Sequence, residues 1–256
     1  MPNRTPTLPH TLTVATAGRR VACLALLAGL ALAPLAQAAT PGLAFPHPAP
    51  ADAKARLQTV SNDVIGVMAQ LVGIQGNLLL GHLLRQEGAA GGGAAQFEEA
   101  WKTDFPQIRE ALAQAGAPDL EPLLAALAQG PTDETYIDAL TGLKRAKEAL
   151  APTEQDLLHA LILNAEEALA QLDPSGTTAV PQYQKAWSLL MAARGELDLL
   201  VFSRDPAVKQ QATKMALAFD DVVMFAPDPA ARGPVAFDPA LVSNLIATLK
   251  GQIQSL

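Results

Sequence analysis

Beyond about residue 50, apolar side chains recur at alternating spacings of three and four. Leu57, Val60, Val64, Val67, Leu71, Ile74 and Leu78 form such a seam from about Ala51 to Glu87. That period is the mark of a helix packing one stripe against neighbours. Gly66, Gly73 and Gly81 lie within it. Each weakens a helix by about 1 kcal/mol relative to alanine, so they mark close helix approaches or a bend. The glycine-rich run from Gly88 to Ala94 ends the element.

A second helical stretch, from about Gln96 to Ala115, turns Phe97, Trp101, Phe105, Ile108 and Leu112 inward. Pro106 lacks an amide donor and predicts a kink or break there. A short helix follows from Leu120 to Ala128. Thr132 and Thr153 are N-cap candidates for helices reaching Leu150 and Leu172. Asp173-Pro174-Ser175-Gly176 is a turn. Pro181 opens the next helix, to about Phe202. Asp205-Pro206 and Asp238-Pro239 each pair a cap with a first-turn proline, starting helices to about Phe225 and Gln254. Period-two alternation is absent, so no strand is expected. The pattern predicts an all-α fold: an antiparallel bundle of about six to eight helices with no sheet, in a single domain over residues 51–256. No solenoid repeat is found.

The residues before this domain read differently. Arg4, Arg19 and Arg20 precede the apolar run Val21–Ala36, and Ala36-Gln37-Ala38 offers small residues for cleavage before Ala39. These are the three parts of a secretory signal peptide over residues 1–38. The run is short for a membrane span, so no stable transmembrane anchor is expected once it is removed. The Arg19-Arg20 pair leaves twin-arginine export open beside the general secretory route. Residues 39–50 carry four prolines and form an extended leader. These features fit an exported protein of the bacterial periplasm.

Composition narrows the function. The whole chain has a formal net charge of −7, and the signal region holds basic but no acidic residues, so the remainder is more acidic still. Nucleic acid is an unsuitable partner for such a surface. The single cysteine, Cys23, leaves with the signal, so the mature chain holds itself together without disulfides. No nucleophile elbow, phosphate loop or Cys-x-x-Cys-His occurs, and no enzyme class is indicated. Glu98-Glu99, Glu166-Glu167 and Asp220-Asp221 are adjacent carboxylates. They point about 100° apart on a helix and are read as solvated faces.

Two places depart from a bland apolar stripe. In the helix from Pro181, Arg194 projects among Tyr183, Trp187, Leu190, Leu197 and Val201, with Asp198 beside it. A charge on a core face must be paired. Arginine next to aromatics also suits recognition of an anion. On the first helix, His82 and Gln75 project onto the stripe near Met68 and Leu78. His159 reads as solvated. The sequence thus supports a binding protein of unknown specificity for a small anionic molecule or an envelope protein partner. Arg194, Asp198, Trp187, Tyr183 and Gln75 are its candidate ligand contacts. The alternative is a metal- or haem-binding bundle centred on His82, with Met191 or Met215 as a second haem ligand. The cofactor itself is unspecified. A stripe wide enough for a core is also wide enough for a dimer seam.

Overall fold

The computed structural model describes residues 50–89 and 91–253, with side chains from residue 64 onward. The signal peptide and nearly all of the leader lie outside the described residues. The chain is built of helices: α1 (Pro50–Gln86), α2 (Ala94–Glu99), a π-helical turn (Ala100–Asp104), α3 (Phe105–Gln114), α4 (Glu121–Gln129), α5 (Asp133–Leu150), α6 (Glu154–Gln171), α7 (Val180–Leu200), α8 (Pro206–Val223) and α9 (Pro239–Ile253).

The helix starts follow local chemistry. Thr132 and Thr153 each make a reciprocal capping box, with Thr135 and Asp156 respectively. Asp205 accepts from the amide of Ala207, and Asp238 from that of Ala240. Each satisfies an amide that the first helical turn leaves unpaired. Pro106 takes effect just upstream of its own position. The amide of Phe105 bonds back to the carbonyl of Ala100, five residues earlier. The chain thus widens into a π-turn before the proline, then restarts as α3 with Pro106 in its first turn.

The expectation of no sheet needs a small correction. Thr177–Thr178 (β1) and Val235–Ala236 (β2) pair antiparallel, Thr177 opposite Ala236 and Thr178 opposite Val235. Two residues per strand are too few to show a period in sequence. The pairing is set from a distance: Val235 and Phe237 are buried, and the Phe237 ring meets Tyr183 edge-on.

Two apolar cores share α1. Val72 joins a core built from α6, α7, α8 and α9, in which Leu161, Leu190, Leu197, Phe219 and Val242 are buried. Met68, Leu71, Ile74 and Leu78 face a second core with Phe97, Phe105, Ile108, Leu124 and Leu143, drawn from α2 to α5. Consecutive long helices in the first core run antiparallel. Arg194 of α7 meets Asp220 of α8, while Tyr183, nearer the start of α7, meets Pro227 beyond the end of α8.

Among the described residues, Val64–Gln86 of α1 is long and apolar enough to cross a membrane by length and composition, and more than half of its apolar stretch is buried inside the fold. Its apolar character is used on two sides at once. Where α1 crosses α7, a Cβ on Gly76 would lie 2.5 Å from the backbone oxygen of Ser188. Gly73 is in ordinary contact with Leu189, a Cβ on Gly81 would strike the Phe97 ring, and Gly66 faces open space. The three glycines of the seam thus serve different ends, and Gly76 makes the close crossing with α7.

Candidate functional site

Arg194 flanks the buried face of α7 rather than occupying its middle, with its side chain 19% exposed. Its Nη1 donates to Asp198 Oδ1 at 2.6 Å, while Nε and Nη2 donate to Asp220 Oδ1 and Oδ2 at 2.6 and 3.2 Å. Two carboxylates, one of them in a bidentate grip from the neighbouring helix, thus outweigh the single charge of the guanidinium and take three of its N–H donors. Burial works against the charge, but the hydrogen bonds and charges of Asp220 and Asp198 outweigh it and hold the guanidinium ionised. The arrangement pins α7 to α8. Tyr183 is buried and donates its hydroxyl to the carbonyl of Pro227 at 2.6 Å. Trp187 is half-buried against the first core. Arg194 and Tyr183 therefore make a helix-to-helix and a helix-to-loop contact, Asp198 pairs within α7, and Trp187 packs on the core.

Gln75 enters a different cluster. Its Nε2 donates to Glu196 Oε1 at 2.9 Å, and Lys147 Nζ donates to Gln75 Oε1 and to Glu196 Oε1, both at 2.6 Å. The Lys147 and Glu196 side chains are 13% and 6% exposed. This triad ties α5 to α7 across α1. Two residues along α1, buried Asn77 donates to Asp104 Oδ2 at 2.7 Å. Lys185 of α7 donates to Glu99 at 2.9 Å and to Asp104 at 3.4 Å. Lys147, Glu196, Lys185 and Asp104 escape a stripe analysis because they sit off the apolar faces of their helices.

His82 stacks on the Tyr136 ring, with centroids 4.0 Å apart and planes 9° from parallel. Its Nε2 lies 2.7 Å from the Gln86 amide and its Nδ1 lies 3.4 Å from Arg85, which is itself paired with Asp133. Burial and the charge of Arg85 lower the imidazole pKa, against a smaller opposing pull from Asp133. Burial alone pushes the Tyr136 phenol up to about 12. Both groups are therefore neutral near pH 7. Among the described residues no group of three or more His, Cys, Asp or Glu could hold a metal. Met215 is buried in the α6–α9 core, while His82 stacks on Tyr136 of α5.

The adjacent carboxylates are not simply solvated. In each pair one member holds a cation from another helix: Glu99 with Lys185, Glu166 with Lys250, and Asp220 with Arg194. The 100° divergence of neighbours on a helix explains why only one of each pair does so.

Sequence reasoning missed an open groove over α6, about 440 Å³ in volume. It is lined by Ile162 and Leu163 of α6, Ile65 and Gly66 of α1, and Ile253 of α9. Leu163 is 41% exposed there, an unusual exposure for a large apolar side chain. Polar groups stand at the rim: exposed His159, and Lys250 paired with Glu166 at 2.6 Å. A smaller recess of about 200 Å³ continues past His159 and Ile253 toward Gln155 and Leu158. No single helix carries a signal for this site, since three helices contribute to it.

The chain matches no protein-family model, and no curated protein and no solved structure is significantly similar to it.

Proposed function

We propose that this is an exported binding protein that holds a small anionic amphiphile in the groove over α6. The observation that carries the reading is the groove itself. Its size falls within the range of small-molecule sites, and such sites join an apolar lining to a few placed polar groups. An aliphatic tail would lie on Ile162, Leu163 and Ile253. An anionic head would meet Lys250 at the rim. Both partners of the Lys250–Glu166 pair are substantially exposed, and such pairs contribute little to stability, so a ligand anion can replace Glu166 at low cost. The anionic ligand class inferred from Arg194 thus moves to Lys250, because Arg194 already faces two carboxylates. Export is read from residues 1–38, and the periplasm is the compartment proposed.

The test uses Gly66, which lines the groove and has open space where a Cβ would stand. Gly66→Ala is expected to stabilise the protein by about 0.5–1 kcal/mol through helix propensity, read by chemical denaturation. Gly66→Trp puts an indole into the groove. Decanoate is expected to raise the melting temperature of the parent saturably, decanol less so, and neither should shift Gly66→Trp. Lys250→Ala should narrow the difference between decanoate and decanol. Equal shifts for parent and Gly66→Trp would remove the groove from the account.

A further inference from the structure

The cluster where the π-turn meets α7 is unbalanced in charge. Two carboxylates, Glu99 and Asp104, converge on one ammonium, Lys185, at 2.9 and 3.4 Å. The remaining near partner, Asn77 of α1, is buried and neutral. Asp104 and Lys185 are 17% and 19% exposed and Glu99 41%. Other charges along the packed elements are matched elsewhere: Lys102 with Glu98, and Arg109 of α3 with Glu121 of α4. The cluster therefore carries one uncompensated negative charge, with Asp104 and Lys185 mostly shielded from water and Glu99 at its wetter edge.

We infer that the Glu99–Lys185–Asp104 cluster is a proton-uptake site, at which Asp104 takes up a proton in the folded chain before free carboxylates of the unfolded chain do. The carboxyl of Asp104 then remains bonded to Asn77, and Lys185 stays with Glu99, so uptake neutralises the cluster without breaking it. Burial, with the charge of Glu99, raises the Asp104 pKa, against the opposing pull of Lys185 and the hydrogen bonds from Lys185 and Asn77. The Lys185 pKa is also raised: burial opposes its charge, but Asp104 and Glu99 together outweigh burial. The ammonium therefore stays charged throughout.

The sign follows from linkage. A carboxyl whose folded pKa exceeds its unfolded value binds its proton more tightly when folded, so its contribution to stability grows as pH falls. The window opens above the folded value and closes near the ordinary aspartate value of 3.8. Most paired carboxylates act in the opposite sense, as does His82, whose lowered pKa makes its contribution fall as pH drops.

The test compares the intact protein with Asp104→Asn, which keeps the shape and neutrality of the protonated carboxyl, so that titrations remote from the cluster cancel. Between about pH 7 and pH 4.5, the folded-to-unfolded ratio of the parent is expected to rise relative to that of Asp104→Asn. Glu99→Gln removes the excess charge by the other route and should shrink the same gain. A carbon-detected NMR titration of the Asp104 carboxyl in the parent provides a reading that needs no variant, and its midpoint should lie above 3.8. A midpoint at or below that value, or identical pH dependence in parent and Asp104→Asn, would overturn the inference.

Discussion

Replacing Glu196 with leucine is expected to cost about 3–5 kcal/mol in chemical denaturation, among the largest losses from a single polar side chain in this protein. Glu196 is 6% exposed and accepts from both Lys147 Nζ and Gln75 Nε2. Its removal leaves an ammonium on α5 that is 13% exposed with only the Gln75 oxygen as an acceptor. Desolvation without a counter-charge is the source of the cost. Lys147→Met alone should cost a comparable amount, because a buried carboxylate is then left behind. The double variant should cost distinctly less than the sum, since both ions leave together. Additive losses would mean that the pair is not coupled in the folded protein, and the bridge between α5 and α7 would lose its electrostatic basis.

Gly76→Val should be comparably damaging for a different reason. A Cβ at Gly76 would sit 2.5 Å from the Ser188 oxygen and 2.8 Å from its carbonyl carbon, both backbone atoms. Backbone in the middle of α7 cannot swing aside as a flexible side chain does, so α1 and α7 must separate. Separation would strain both cores, because α1 contributes to each. A loss of about 3 kcal/mol or more is expected. Gly66→Ala on the same helix should act in the opposite direction, which makes the contrast independent of helix propensity. If Gly76→Val melted within about 1 kcal/mol of the parent, the close crossing of α1 and α7 would be refuted.

The helices were legible in sequence because their ends are decided locally. Thr132, Thr153, Asp205 and Asp238 satisfy amides within their own first turns, and Pro106 disrupts its own helix. The polar bridges were half legible. Gln75 stands out because it interrupts an apolar face, but its partners do not. Glu196 is buried because α7 is packed by α1, α6 and α8, which leaves it little polar face. How many sides of a helix are covered is a tertiary fact that a periodicity cannot carry. For Arg194, the four-residue spacing to Asp198 made their pair legible. The bidentate grip of Asp220 comes from the next helix and depends on the α7–α8 packing. The groove over α6 lies furthest from sequence, since its lining comes from segments up to about 190 residues apart.

The binding reading is tested most directly by photolabelling the full-length protein with a diazirine-bearing aliphatic carboxylate, followed by peptide mass spectrometry. The account predicts labels at Ile162, Leu163 and Ile253, competed by excess decanoate and lost in Gly66→Trp. Labelling concentrated around Arg194 and Trp187, or spread over the surface and indifferent to both decanoate and the indole, would contradict it.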